Sequence, residues 1–256
     1  MNGTMKKSFH ALADILIPRT CIVCGCRLNL AERHLCIGCL ADMPMTYFWM
    51  QTHNAMADRF NNLIRKHLDE AETPGREMYS HAAALFFYHN DAGYRHIPYQ
   101  IKYHGNTVAG RYFGSMLGKR LAENRMWDDV DIVIPVPLHR TRQWKRGYNQ
   151  AEIIASAIAS ELKVPMRTDI LVRRRRTATQ TKLDIEGKVR NVAGAFSTSE
   201  DAAVIFRNGG NVQHILLADD VFTTGSTLFA CFTALRKVFP PSVRISVATL
   251  GFVGGT

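Results

Sequence analysis

The chain has 256 residues, 46% of them hydrophobic, and carries 32 Lys and Arg against 22 Asp and Glu for a net charge of +10. That length fits one large domain or one catalytic domain with a small appendage, and no apolar run reaches the ~18 residues needed to span a bilayer. The basic balance favours anionic partners, namely phosphorylated metabolites, nucleic acid or a membrane surface; the plainer reading is a generally basic, solvated surface.

Met1–Thr20 sets Lys6 and Lys7 before Phe9, Leu12, Ile15 and Leu16, interrupted by His10 and Asp14. Its apolar residues recur at helical spacing, so it reads as a short amphipathic helix and not as a signal peptide, with the cytoplasm the expected location. Two C-x-x-C knuckles follow, Cys21-Ile-Val-Cys24 and Cys36-Ile-Gly-Cys39, separated by eleven residues. Four thiolates so spaced can close a tetrahedral structural zinc site. A disulfide pair is the alternative, but nothing indicates an oxidising compartment. Cys26 and His34 are substitute ligands that the count does not require, and Cys231 reads as core packing. About 25 residues cannot bury enough surface to fold without such a staple. Residues 1–43 therefore read as an N-terminal helix and zinc-binding module. Residues 44–80 form a connector, helical around Asn54–Glu70 and ending at Thr73-Pro74-Gly75. Residues 81–256 form the main domain.

Within that domain His81–His89 reads as a strand, Gln100–Gly105 as a segment ending in a turn, and Val108–Asn124 as a helix with Phe113, Met116, Leu117 and Leu121 at helical intervals. Val130–Pro137 is a buried strand closed by two prolines. A basic loop, Leu138–Gly147, then leads to a helix over Asn149–Leu162 with Ala151, Ile154, Ile158 and Leu162 on one broad face. Asp169–Arg173 and Ala193–Ser197 read as short strands, with the basic run Arg173–Arg176 and a polar stretch to Arg190 between them. Phe206–Asn211 is a turn by its glycine chemistry. Strands over Val212–Ala218 and Val243–Phe252 flank a helix over Leu228–Val238. This alternation predicts an α/β fold, a mainly parallel sheet with helices on both faces.

The densest chemistry lies at Ile215–Thr227, where an apolar run meets Asp219 and Asp220 and then the loop Thr223-Thr-Gly-Ser-Thr227. The loop sits at a helix N-terminus, where unpaired N–H groups and the helix dipole favour a phosphate. Gly225 admits close backbone approach, and the hydroxyls of Thr223, Thr224, Ser226 and Thr227 can donate to phosphate oxygens. The carboxylates need a different partner: ribose hydroxyls, held directly or beside a hydrated Mg2+. An ordinary strand-loop-helix turn capped by Thr223 or Thr224 is the simpler alternative. Neither a Walker loop nor a G-x-G-x-x-G pattern is present. Ligands of parallel sheets collect at the carboxyl ends of strands, which would bring His139, Arg140 and Arg146 near a pyrophosphate; a solvated basic loop is the alternative. His139 alone suits positioning better than catalysis.

The acid pair followed by Thr224-Gly-Ser-Thr227 resembles the phosphoribosyl pyrophosphate (PRPP) motif of type I phosphoribosyltransferases. Together with the four-cysteine opening, Ile101-Lys-Tyr-His-Gly105, Ile134-Pro-Val-Pro-Leu-His139, Arg146-Gly-Tyr-Asn-Gln150, Thr177-x-x-Gln180-x-x-Leu183 and Asn191-Val-Ala-Gly-Ala-Phe196, it resembles the ComF family over most of the chain. One departure is Lys188, where that family usually carries Arg; the charge is kept without the planar fork. The resemblance implies a type I phosphoribosyltransferase fold, with Thr177–Arg190 closing over PRPP, and a role in DNA uptake during natural transformation through single-stranded DNA, with DNA-uptake proteins as partners. It also implies displacement at ribose C1 by a nitrogen nucleophile as magnesium pyrophosphate leaves. Asp219 and Asp220 would hold ribose hydroxyls and Mg-PRPP, Thr223–Thr227 the 5′-phosphate, and Arg140, Arg146 and Lys102 would offset pyrophosphate charge. The alternative is a single-stranded DNA-binding adaptor that keeps the fold without turnover, drawing on Arg173–Arg176 and the Trp144–Tyr148 interleaving. A regulatory PRPP sensor is a third reading.

Overall fold

The computed structural model describes residues 18–70, 77–89, 92–174, 194–200, 202 and 212–254. The N-terminal amphipathic helix, the Thr73-Pro74-Gly75 break, Arg175 and Arg176, the Thr177–Arg190 segment with Lys188, the Asn191-Val-Ala start of the family segment, and the Phe206–Asn211 turn lie outside the described residues, Pro18 to Thr20 of that first helix excepted.

The main sheet has four strands, β1 (Ala82–Phe87), β2 (Ile132–Pro135), β5 (His214–Phe222) and β6 (Arg244–Phe252), in the order β1-β6-β5-β2. All three pairings are parallel. A separate antiparallel pair, β3 (Leu171–Arg173) with β4 (Phe196–Thr198), holds two expected strands outside that sheet. The seven α-helices of the described residues are α1 (Ile37–Ala41), α2 (Ala55–Glu70), α3 (His96–Tyr103), α4 (Thr107–Ala122), α5 (Arg140–Arg146), α6 (Gln150–Leu162) and α7 (Ser226–Leu235).

Parallel strands covered on both faces read as continuous apolar runs, and the pleat sends alternate residues to opposite layers. Along β5, Ile215 and Leu217 enter one core with Met56, Phe60 and Ile64 of α2 and Phe229, Phe232 and Leu235 of α7. Leu216 and Ala218 enter the other, with Ile97 and Ile101 of α3, Phe113 and Leu117 of α4, and Ile154 and Ile158 of α6. The helix of the expected connector is thus a core helix: Asn54 caps it, accepting from the N–H of Met56 and Ala57 at 3.1 and 2.9 Å. Gly110, Gly114 and Gly118 let α4 close on α6, since a Cβ at each would meet an α6 atom at 2.9 Å.

The cysteine module is seated on the second layer. Cys21, Leu28 and Leu35 join its core, and the His34 ring packs 5.1 Å from Tyr112. Where strands β5 and β6 begin, fully buried His214 sits 2.7 Å from both Asp129 Oδ1 and Ser246 Oγ. That order of groups resembles a hydrolytic triad, but Ser246 is fully buried as well, so no substrate reaches it and the cluster serves as a clamp between strand starts.

Candidate sugar-phosphate site and cysteine cluster

The structure moves the acid pair out of the loop and into the strand. The expected strand stops at Ala218, whereas β5 runs on to Phe222 because β6 stays beside it, pairing Asp219 with Thr249 and Phe222 with Phe252. Consecutive strand residues face opposite ways, so the two carboxylates have different surroundings. Asp220 is buried, and its Oδ2 lies 2.6 Å from Lys102 Nζ of α3. Its other oxygen accepts from the N–H of Val221 at 2.8 Å. Burial opposes the Lys102 ammonium, yet the Asp220 charge and hydrogen bond prevail and raise its pKa. Asp219 is partly open, and its Oδ1 accepts from the N–H of Asp220 at 2.9 Å. Desolvation first, and the neighbouring Asp220 charge second, push the Asp219 carboxyl up to about 7 against the pull of Lys102 and Arg173.

Past Phe222 the loop turns at Gly225, in the left-handed region at φ 82°, and this residue starts α7 without a side-chain cap. A Cβ there would lie 2.6 Å from Phe222 Cζ. The hydroxyls of Thr224 and Ser226 bond each other at 2.7 Å. Arg59 of α2 donates to the carbonyls of Thr223 and Val253 at 3.0 and 2.9 Å and lies over the Phe252 ring, tying the loop to the sheet end. Sequence reasoning did not single out Arg59, because its partner is 164 residues away.

The other expected residues reach this end of the sheet by separate routes. Val136 N–H donates to Ala218 O at 2.9 Å, which carries the β2–β5 pairing to the edge of the acid pair. Leu138–Gly147, read as a loop, contains the short helix α5, and His139 caps it by accepting from Thr141 N–H at 3.3 Å. Arg146 donates to Gln150 Oε1 at 2.9 Å and stacks over Tyr103, 5.2 Å from the ring centre. Tyr148 in turn donates its hydroxyl to Ile101 O. Lys102 of α3 therefore meets the acid pair directly, and Arg146 of α5 reaches the same helix through the neighbouring Tyr103. Arg140 is exposed. Arg173 lies over Phe196 at 5.0 Å, and Arg174 donates to Ser197 Oγ at 2.8 Å. Cys231 is fully buried, as expected.

The thiols of both knuckles converge, with Cys26 beside them. The sulfurs of Cys21, Cys24, Cys26 and Cys36 all lie within 4.8 Å of one another. Cys24 and Cys36 are 3.7 Å apart, close to the ~3.8 Å edge of a tetrahedron with ~2.3 Å Zn–S bonds. Cys26, the spare in the sequence, is inside this group, and Cys39 adjoins it, donating its N–H to Cys36 Sγ at 3.4 Å and hydrogen-bonding through its thiol with Cys24, Cys36 and Cys21. The Cys26 backbone N–H, followed by its thiol, lowers the Cys24 pKa to about 6. A crowd of soft thiols, one of them readily ionised, suits a thiophilic metal, and this group can hold an ion such as zinc. His34 packs against aromatic rings instead of joining it.

Fold and site together define an α/β protein with a parallel sheet, a cluster of charged and polar side chains at the carboxyl end of β5 and a thiol cluster near its N-terminus. No family model matches the chain. Over 115 residues it is 35% identical to competence protein F of Haemophilus influenzae, a match covering 45% of this chain and 48% of that protein. It is 33% identical over 98 residues to DNA utilization protein YhgH of Shigella flexneri and 32% identical over 98 residues to that of Escherichia coli K12, each match covering 38% of this chain and 40% of the relative. These matches support the ComF family. The chain spans less than half the length of the curated relatives it matches.

Proposed function

We propose that the acid pair and the Thr223–Thr227 loop at the end of β5 bind the Mg2+ complex of PRPP or a related phosphorylated ribose, in a protein serving DNA uptake as the names of its relatives suggest. The observation that carries this reading is the division of labour in the acid pair. Asp220 has both oxygens engaged, one by Lys102 and one by Val221 N–H, which leaves partly exposed Asp219 as the carboxylate facing a ligand. Thr223–Thr227 supplies hydroxyls and a helix N-terminus for a 5′-phosphate. Lys102 is committed to Asp220, so it serves the pyrophosphate by offsetting that carboxylate's charge, with Arg140 and Arg146 as further cations on α5.

The reaction that fits is a displacement in which the C1–oxygen bond to pyrophosphate breaks, a C1–nitrogen bond forms, and the acceptor nitrogen loses its proton. Mg2+, when bound, supplies charge neutralisation for the departing pyrophosphate; Asp219 and the ribose hydroxyls are where it would be held. Charge placement and exclusion of water then dominate the barrier. The test is calorimetric titration of zinc-loaded protein with PRPP and Mg2+, beside Asp219→Asn and Asp219→Ala with Asp220→Ala. Wild-type binding that both variants lose is the expected result, and no heat from the folded wild type overturns the reading.

A further inference from the structure

We infer that Arg59 of α2 is a positioning residue for the 5′-phosphate of the bound sugar, turning carbonyls at the entry of the Thr223–Thr227 loop away from the anion and setting a permanent cation behind them. This role rests on the sugar-phosphate reading above and extends it to a helix outside both the motif and the sheet. One guanidinium nitrogen of Arg59, Nη1, donates to Thr223 O at 3.0 Å and to Val253 O at 2.9 Å. The preceding carbonyl, Phe222 O, accepts from Val253 N–H at 2.8 Å, and Gly225 O accepts from Phe229 N–H of α7 at 2.8 Å. Three carbonyls of the β5–α7 turn are therefore committed to α2, to the end of β6 or to α7. Carbonyl oxygens repel a phosphate, whereas N–H groups at a helix start attract it. A turn whose carbonyls are held in this way offers an anion its attractive side.

Helix α2 backs the loop at more than one point. Leu63 lies one turn beyond Arg59 on the same face, and its Cδ1 would meet a Cβ at Gly225 at 3.1 Å. Phe60 meets the rings of Phe222 and Phe232 edge-on at 6.5 and 5.9 Å. The loop entry, its glycine and the first part of α7 thus rest on one helix. Arg59 adds what those apolar contacts cannot, a charge. Both of its acceptors are neutral carbonyls, and its ring partner Phe252, 5.1 Å away, is neutral as well. None of them cancels the guanidinium charge, which arginine keeps at any working pH. Arg59 is half-buried, so salt screens it less than a surface cation. A tie between two carbonyls needs only donors, and a neutral amide would serve; a fixed cation behind a phosphate loop serves a phosphate. Lys102, Arg140 and Arg146 are assigned to the pyrophosphate end, which leaves Arg59 to the 5′ end.

Calorimetry of the zinc-loaded chain separates the two ends of the ligand, with ribose 5-phosphate and Mg-pyrophosphate as probes beside Mg-PRPP. Arg59→Gln can still donate to a carbonyl but carries no charge. It should weaken ribose 5-phosphate and PRPP about tenfold, the usual worth of a contact to a charged group, and leave Mg-pyrophosphate within about twofold of the wild type. Arg59→Lys keeps the charge and should bring the loss back to about threefold, the worth of one neutral hydrogen bond. That rescue follows charge, whereas a tie to the carbonyls is one that both variants can keep in part. If Arg59→Gln does not fold, the same split between probes is read in Arg59→Lys, its smaller loss still confined to the two phosphorylated riboses. Unchanged affinities in the folded variants, or equal losses for pyrophosphate and ribose 5-phosphate, overturn the positioning role and leave the sugar-phosphate reading standing. A folded wild type that binds none of the three ligands sinks that reading and the role of Arg59 with it.

Discussion

Lys102 Nζ and Asp220 Oδ2 meet at 2.6 Å, joining the helix after the first strand to the carboxyl end of the central strand. Removing one member of such a pair strands a buried charge, whereas removing both does not. Because Lys102 keeps 28% of its side chain exposed, Lys102→Met should cost roughly 2 kcal/mol in urea unfolding, below the full range for buried pairs. Adding Asp220→Asn should restore most of that loss. A single variant as stable as the wild type would mean that water already solvates Asp220.

Asp219 and His81 set opposite pH slopes. The Asp219 carboxyl rises from 3.8 to about 7 on folding, so its contribution to stability is complete below pH 3.8 and is lost as pH climbs through 7. Burial first, and the Arg244 charge next, lower His81 from 6.5 to about 4, so its contribution is complete above pH 6.5 and is lost as pH falls through 4. Urea midpoints from pH 4 to 8 should show Asp219→Asn gaining on the wild type as pH rises. An Asn variant that tracks the wild type across this range would place the Asp219 carboxyl at an ordinary value.

Gly225 combines a left-handed φ with a contact that a Cβ would make with Phe222 at 2.6 Å. Strain at such a backbone position typically costs of order 1–3 kcal/mol. Gly225→Ala should therefore lower the thermal midpoint and, by shifting the loop, weaken PRPP binding in calorimetry more than it weakens Mg-pyrophosphate binding. Equal losses for both ligands would show a general unfolding effect instead of a loop effect.

The parts that were legible in the sequence are those carried by local pattern. Apolar runs between glycine and proline breaks located every strand of the main sheet, and the periodicity at Val108–Asn124 located α4. The end of β5 was misplaced because charge usually marks a strand's exit, and here a parallel neighbour and a lysine from elsewhere keep two acids inside the ladder. Helix α5 was read as loop because seven residues holding four cations show no apolar period. Arg59 at Thr223 and the glycines of α4 against α6 are tertiary facts with no local signature.

The thiol cluster offers the sharpest separation of spacing from geometry. The C-x-x-C rule selects Cys39, and the fold brings Cys26 within 4.8 Å of Cys21, Cys24 and Cys36 while the Cys39 thiol contacts the same three. Purified protein should carry about one zinc per chain if four thiolates close the site. In competition with a chromogenic chelator, Cys26→Ser should release zinc more readily than Cys39→Ser, by more than about tenfold, as expected when a ligand and not an outer neighbour is lost. Because Cys21, Leu28 and Leu35 share the core of α3, α4 and α6, zinc loss should also lower the thermal midpoint of the whole chain. The opposite ranking of the two variants would mean that Cys39 is the fourth ligand and Cys26 the neighbouring thiol. The ligand set would then be the one the C-x-x-C spacing selects, with the tetrahedral demand of the ion deciding between adjacent thiols.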